Sequence, residues 1–214
     1  RGREERIACD AVALGHGLKP ETQLAELAGA GFVFDAQTRL WTPVIDADGR
    51  AGERLYLAGD GAAVGGADAA RASGELAALS ALRDMGRAVD ARRMVALRAR
   101  VARLRGVQRA MARAFAWPAA RAAALPDDCV LCRCENVSVG DVRAAVASGL
   151  IVPEVNRVKA VSRCGMGRCQ GRFCGPALQE TVAAASGRPV SEVGRLRGQA
   201  PVKPIALDVA GAAP

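Results

Sequence analysis

Apolar and polar positions along this chain change period several times, and each period predicts an element. Residues 7–14, Ile-Ala-Cys-Asp-Ala-Val-Ala-Leu, form a short apolar run that closes on Gly15-His16-Gly17 and Pro20. That is the pattern of a buried strand followed by a turn. Over residues 20–28, Leu24, Leu27 and Ala28 fall at helical spacing. Residues 32–34 and 39–45 read as short strands around the turn signal Asp46-Ala47-Asp48-Gly49. Residues 54–58, Arg-Leu-Tyr-Leu-Ala, read as another buried strand running straight into Gly59-Asp60-Gly61. An Ala-rich helix follows over about 67–82, and Gly86 stops it. A long helix is predicted over roughly 88–116. Its Leu97, Val101, Leu104, Met111 and Phe115 lie on one stripe, with arginines on the other faces.

Beyond Trp117-Pro118, residues 119–127 read as a linker. Ser138, with Asp141 three residues on and Gly149 as the stop, predicts a helix over 139–148. Pro153 opens a second short helix over 153–161. Pro176 opens a third, to Ala185, ended by Gly187 and Pro189. The tail from 195 carries three prolines and reads as extended. No internal repeat is evident.

Composition narrows the class. Of the 214 residues, 50% are hydrophobic and 24% charged, a globular balance that excludes a disordered chain. No apolar run approaches the ~20 residues of a membrane-spanning helix. The chain opens on Arg1 with no charged-then-apolar leader, which predicts a fragment or a processed chain. Net charge is +8, carried mostly by arginine, with only Lys19, Lys159 and Lys203 as lysines. The densest basic stretch, Arg83 to Arg113, lies on the polar faces of the long helix and reads as a solvated surface. Aromatic residues are 3% of the chain, too few for base-stacking platforms, and no helix-turn-helix or zinc-finger spacing occurs. A nucleic-acid partner is not expected.

Of the seven cysteines, Cys129, Cys132, Cys134, Cys164, Cys169 and Cys174 fall close together. The absence of a leader argues against a disulfide framework, and the tight pairs argue for a metal. The single histidine, His16, is far away in sequence, so any metal here is held by thiolates.

Two stretches carry candidate chemistry. Leu55-Tyr-Leu-Ala-Gly-Asp60 puts a carboxylate at the carboxyl end of a strand, where open α/β sheets bind ligands. Gly59 and Gly61 allow close backbone approach, and the next helix offers free N–H groups at its start. The same residues also suit a simple turn with an Asp cap. The segment resembles the last flavin-contacting motif of the two-dinucleotide-domain flavoproteins of the glutathione-reductase-like superfamily. That resemblance implies that Asp60 holds the ribityl chain of FAD, with flavin contacts at Gly59, Asp60, Gly61, Gly66 and Ala67. Asp10-Ala-Val-Ala-Leu-Gly15-His-Gly-Leu-Lys-Pro20 resembles the superfamily's second strand-Gly-Pro motif, with Leu14-Gly15 in place of its usual Thr-Gly pair. The superfamily's G-x-G-x-x-G is absent; Gly15-His-Gly17-Leu-Lys-Pro20 fails as a phosphate loop because proline fills the last place. The expectation is the C-terminal part of an FAD domain, able to contact the flavin but not to hold it tightly alone.

The second stretch pairs Cys132-Arg-Cys134 with Cys169-Gln-Gly-Arg-Phe-Cys174. Four thiolates in one pocket suit a [2Fe-2S] cluster or a structural zinc. The tight C-x-C pair, the nearby Gly165, Gly167 and Gly171, and counter-charges at Arg133, Arg163, Arg168 and Arg172 favour iron–sulfur. Residues 129–186 resemble the BFD-like (bacterioferritin-associated-ferredoxin-like) [2Fe-2S] domain in the version fused to flavoprotein subunits. The strings Val-Leu-Cys-Arg-Cys-Glu-Asn-Val-Ser-Val-Gly-Asp-Val-Arg and Arg-Cys-Gly-Met-Gly-Arg-Cys-Gln-Gly-Arg-Phe-Cys-Gly-Pro carry that resemblance. It implies Cys132, Cys134, Cys169 and Cys174 as ligands. Cys164 is the contender, and Cys129 and Cys9 read as small apolar bystanders.

Nearly the whole chain resembles the C-terminal part of one subunit type, the FAD-dependent large subunit of opine oxidases, hydrogen cyanide synthase and proline or hydroxyproline dehydrogenases. The implied fold is α/β: a partial FAD/NAD(P)-binding Rossmann-like domain at 1–82 and a helical connector at 83–126. A small, mainly α BFD-like [2Fe-2S] domain at 127–190 and an extended tail at 191–214 complete it. The implied function is electron transfer between FAD and a [2Fe-2S] cluster in a heteromeric amine or amino-acid dehydrogenase. The implied partners are a substrate-oxidising flavoprotein subunit together with a small ferredoxin-like subunit. The implied location is the cytoplasm, with any membrane contact made through the complex. No residue reads as a general base, and none is nominated as catalytic. The alternative is a stand-alone zinc or [2Fe-2S] module that docks a partner or nucleic acid through its basic helix.

Overall fold

The computed structural model describes residues 4–13, 15 and 17–202. Leu14 and His16, within the first predicted strand and turn, and the tail from 203 onward lie outside the described residues.

Residues 7–13 do not form the predicted strand. Ile7 and Val12 are 76% and 72% exposed, and no described strand lies alongside to take up their backbone hydrogen bonds. The first helix, α1 (Gln23–Leu27), buries Ala25 and leaves Leu24 and Leu27 exposed, so its inward face is not the one the leucines mark. β1 (Phe32–Asp35) pairs antiparallel with β2 (Leu40–Pro43), Phe32 opposite Pro43 and Asp35 opposite Leu40. Their turn lies at 36–39, where the Asp35 carboxylate accepts the N–H groups of Gln37 and Thr38. The Asp46–Gly49 signal makes the next turn, with Asp46 accepting the N–H groups of Asp48 and Arg50. It leads into β3 (Arg50–Gly52), which pairs with β4 (Leu55–Tyr56). β4 is half-buried and shorter than the predicted 54–58 strand.

A 3-10 turn at Gly59–Gly61 leads to α2 (Gly66–Asp84), which packs on α3 (Ala91–Ala114). Ala72, Leu76, Met94, Leu97 and Val101 form their core. The predicted α3 stripe is buried only at its first end; Met111 and Phe115 are exposed. Residues 119–123 form α4, which packs on a later helix, so the predicted linker at 119–127 is largely structured. Its alanines favour helix and fit close against a neighbour.

The second core is larger. It is built from the hairpin β5 (Val130–Cys132) and β6 (Val137–Ser138), and from α5 (Val139–Ala147), α6 (Val155–Ser162), α7 (Gly175–Ser186) and α8 (Val190–Val193). Val139, Val142, Val155, Val158, Leu178, Val182 and Val193 are each 0% exposed. Ser138 and Asp141 make the full capping box that their spacing predicts: the Ser138 oxygen accepts the Asp141 N–H, and the Asp141 carboxylate accepts the Ser138 N–H. Phe34 of β1 packs against this core, so the N-terminal hairpin is part of its wall. The chain is mixed α/β, as expected. Among the described residues its strands pair only in two-stranded antiparallel sheets, joined by connections too short for a parallel crossover.

Candidate functional site

Local backbone chemistry gathers five thiols. β5 ends on Cys132, and the hairpin turn places Cys134 and a left-handed Asn136 (φ 52°). Beside this hairpin, α6 stops at left-handed Arg163 (φ 63°), which pairs with Glu135 of the hairpin turn. The chain then coils through residues 164–174, using positive φ at Gly165, Gln170 and Gly171. Cys174 closes the coil as the N-cap of α7. The Sγ atoms of Cys132, Cys164 and Cys174, all buried, lie within 4.8 Å of one another. Cys134 and Cys169 are half-buried, the Cys134 thiol next to that of Cys169. All seven cysteines are free.

The expected ligands are thus brought together as two contacts, Cys132 with Cys174 and Cys134 with Cys169. Cys164 joins the first pair and is 0% exposed. Cys129 packs against the core outside the thiol triad, and Cys9 is exposed. A donor set of soft thiolates, with no histidine or carboxylate in the triad, fits iron–sulfur or zinc and not a hard cation.

The two ends of the pocket differ electrically. Burial pushes the Cys169 thiol up, but the backbone N–H groups of Phe173, Gly171 and Arg172 and the Cys134 thiol all hydrogen-bond it, and its pKa ends below the usual thiol range. Cys174 goes the other way: its hydrogen bond with Cys164, then burial, push its thiol well above the usual range. A cation placed among these sulfurs removes that penalty by taking the protons' place.

Packing encloses the pocket. A Cβ on Gly167 would overlap the Cβ of Cys134, and a Cβ on Gly165 or Gly171 would overlap the Leu196 side chain. Leu196 therefore lies directly over the glycine coil. The Lys19 ammonium approaches the start of α7, 3.6 Å from where a Gly175 Cβ would lie. Lys19 is exposed as a residue, yet crowding around its charged end is the largest influence on its pKa and lowers it. Glu21 and Cys174 oppose that effect, and Arg172 and Arg195 add to it. Of the expected counter-charges, Arg163 pairs with Glu135 at 2.8 Å and Arg133 stacks on Phe173 at 4.3 Å. Arg172 pairs with Glu21 and also donates to the Cys169 carbonyl.

The expected flavin residues fall in a turn and at the start of the helix after it. Gly59 to Gly61 form the 3-10 turn, and Gly66 and Ala67 open α2. The Gly59 N–H donates to Ser73 Oγ at 3.0 Å, which ties the turn to the helix. Asp60 is exposed and accepts the Gly65 N–H at 3.4 Å, a long bond that leaves the carboxylate available. No side chain caps the start of α2. An open carboxylate beside uncapped helix N–H groups suits a polyhydroxylated chain carrying an electron-rich group.

Residues 130–184 match the BFD-like [2Fe-2S] binding domain. The thiol pocket falls wholly within that match. Over nearly its full length the chain is similar to an opine oxidase subunit of Rhizobium meliloti, 38% identical over 96% of this chain and 40% of that protein. It is also similar to hydrogen cyanide synthase subunit HcnB of Pseudomonas aeruginosa, 33% identical over 93% of this chain and 43% of that one. The fold matches L-proline dehydrogenase from P. horikoshii with a TM-score of 0.66 and 19% identity, over 92% of this chain and 38% of that chain. The chain spans about two-fifths of the length of these proteins. The resemblances read from the sequence to the opine oxidase and hydrogen cyanide synthase subunits, and to a BFD-like [2Fe-2S] domain, are therefore shown.

No helix among the described residues is long and apolar enough to cross a membrane. The basic face of α3 is partly engaged in ion pairs: Arg93 with Glu75, Arg98 with Asp48 and Arg100 with Asp68.

Sequence reasoning misses two parts of the site. Leu196 sits in a stretch that reads only as extended tail, and nothing local marks it as a cover. Lys19 stands out only as part of a turn motif. Its status as one of three lysines in an arginine-rich chain is the one further signal.

Proposed function

We propose that this chain is the electron-transferring part of a heteromeric amine or amino-acid dehydrogenase subunit, holding a [2Fe-2S] cluster and contacting FAD. The observation that carries the reading is the gathering of five free thiols within the matched domain, three of them within 4.8 Å. When bound, the two groups supply the change from the two-electron chemistry of a flavin to one-electron transfer. The residues of this chain bind, orient and shield them.

In this reading Cys132, Cys134, Cys169 and Cys174 ligate the cluster. Cys169, favoured as thiolate by three backbone N–H groups, supports that set. Leu196 and the glycine coil exclude water, and the Lys19 charge favours the reduced, more negative cluster. Gly59, Asp60, Gly61, Gly66 and Ala67 meet the flavin, with Asp60 accepting from its sugar-alcohol chain. The division into a flavin-domain part (1–82), connector (83–126), cluster domain (127–190) and tail (191–214) belongs to the same reading. The proposed partners, in the cytoplasm, are a substrate-oxidising flavoprotein subunit together with a small ferredoxin-like subunit; the relatives' names as subunits support a multi-chain enzyme.

The test is analytical. The intact protein, purified anaerobically with its partners, is expected to carry two irons and two acid-labile sulfides per chain and to absorb broadly at ~400–460 nm. Asp60→Ala is expected to lower its flavin content while the iron stays. A colourless protein holding one zinc per chain sinks the reading.

A further inference from the structure

A [2Fe-2S] cluster takes four thiolates, and this pocket holds five. The surplus thiol is not an ordinary buried cysteine. Cys129 shows what that looks like: half-buried against the same core, serving as a small apolar residue and outside the triad. Cys164, by contrast, is fully buried with its sulfur within 4.8 Å of both Cys132 and Cys174. It is thus placed where a ligand of the same iron would lie, beside Cys174 at the start of α7.

The backbone allows the sulfur to move a short way. Cys164 lies between left-handed Arg163 and Gly165 (φ 88°), in a stretch where α6 has ended and α7 has not begun. Its N–H donates to Ser162 Oγ at 3.2 Å. A glycine neighbour with positive φ can absorb the small rotation that carries Sγ toward the position of Cys174.

We propose that Cys164 is a reserve ligand, a fifth thiol that takes over the iron coordination of Cys174 when that bond opens. In the exchange one Fe–Sγ bond to Cys174 breaks and one to Cys164 forms. The Cys164 thiol proton passes to the released Cys174 sulfur, which lies within 4.8 Å of it. No electron is gained or lost, and the charge of the site is unchanged. The inference rests on the four-ligand reading above and adds to it that the cluster survives the loss of one particular ligand.

The test compares Cys164→Ala, Cys174→Ala and the double variant in the intact protein with its partners. Iron and sulfide per chain, visible absorbance and the EPR of the reduced cluster are measured, with circular dichroism as the folding control. Cys164→Ala is expected to keep two irons. Cys174→Ala is expected to keep two irons with a shifted EPR spectrum, and the double variant to lose at least ten-fold of its iron. A folded Cys174→Ala protein without a cluster overturns the proposal. Should alanine prevent folding, Cys174→Ser decides: thiolate-only ligation in its resonance Raman spectrum supports the reserve ligand, and serine-oxygen ligation overturns it. Loss of the cluster in Cys164→Ala alone, with retention in Cys169→Ala, overturns the four-ligand set itself and makes Cys164 a primary ligand.

Discussion

Gly167 shows how little room the pocket leaves for substitution. Its backbone is not in the left-handed region, so conformation does not require glycine there. Space does: an added Cβ would overlap the Cβ of Cys134 and lie 3.1 Å from a Glu135 carboxylate oxygen. Gly167→Ala must therefore push the hairpin turn away from the coil and separate Cys134 from Cys169. The expected result is a several-fold fall in bound iron and a lower melting temperature. Gly74→Ala is the control. It lies inside α2 with nothing within 4 Å of an added Cβ, and it should stabilise by roughly 0.5–1 kcal/mol. Equal iron in Gly167→Ala and wild type refutes the steric account. The glycines near Cys169 were legible in the sequence as a cluster loop, but not their separate tasks. The N–H groups that reach Cys169 come from Gly171, Arg172 and Phe173, whereas Gly167 serves a close approach by a residue far away in sequence. Spacing along the chain cannot reveal a clash across it.

At the scale of elements, the turn at Asp46–Gly49 joins the small sheet to both long helices. Asp48, 7% exposed, accepts Arg98 through both oxygens at 2.5 and 2.9 Å, Arg83 at 2.8 Å and Arg50 at 3.1 Å. Chiefly through the Arg98 hydrogen bonds, its carboxyl is held well below the usual carboxylate range. A lowered folded pKa means the stabilisation is present above the unfolded value, about 4, and is lost as pH falls toward the folded one. Asp48→Asn should cost about 2 kcal/mol at pH 7, a figure reduced because the arginines are partly exposed. The difference from wild type should shrink steadily below pH 4. Denaturant unfolding at pH 7, 5 and 3 measures it, and a pH-independent difference would refute the assignment. The turn itself was legible from Asp-Ala-Asp-Gly. Its role as a three-way joint was not, because the arginines of α2 and α3 read as solvated when their partners lie outside the helical period. The helix over 139–148 was legible because Ser138 and Asp141 mark its start; the one predicted over 153–161 is found at Val155–Ser162, but its cap is Glu154, and Pro153 lies before it rather than opening it. The predicted strand at 7–14 failed over its described residues because apolar character alone supplies no neighbour to pair with.

Across the whole molecule, α1 and the hairpin after it are fastened to the thiol domain and to the tail that follows it at several points. Gln23 donates to the Gln170 carbonyl, Glu21 pairs with Arg172, and Glu26 accepts from Arg195 and from the Gly198 N–H. The most buried fastening is Arg39 with Glu180, bidentate at 2.5 and 2.7 Å, with the glutamate side chain 5% exposed. Arg39 sits at φ 54°, a left-handed backbone that costs a non-glycine residue energy and places its guanidinium over α7. Removing Arg39 leaves a buried carboxylate without its partner, so Arg39→Ala should destabilise by about 2–3 kcal/mol. Because Cys174 is the N-cap of α7, the loosened helix should also release iron faster to a chelator. Replacing both partners, Arg39→Met with Glu180→Leu, removes the charge that needs compensation and should recover most of the stability. If the pair also sets how the flavin-side hairpin lies against the cluster side, the double variant recovers its melting temperature without recovering the rate of flavin-to-cluster electron transfer. Full recovery of both in the double variant would reduce the Arg39–Glu180 contact to a matter of stability alone.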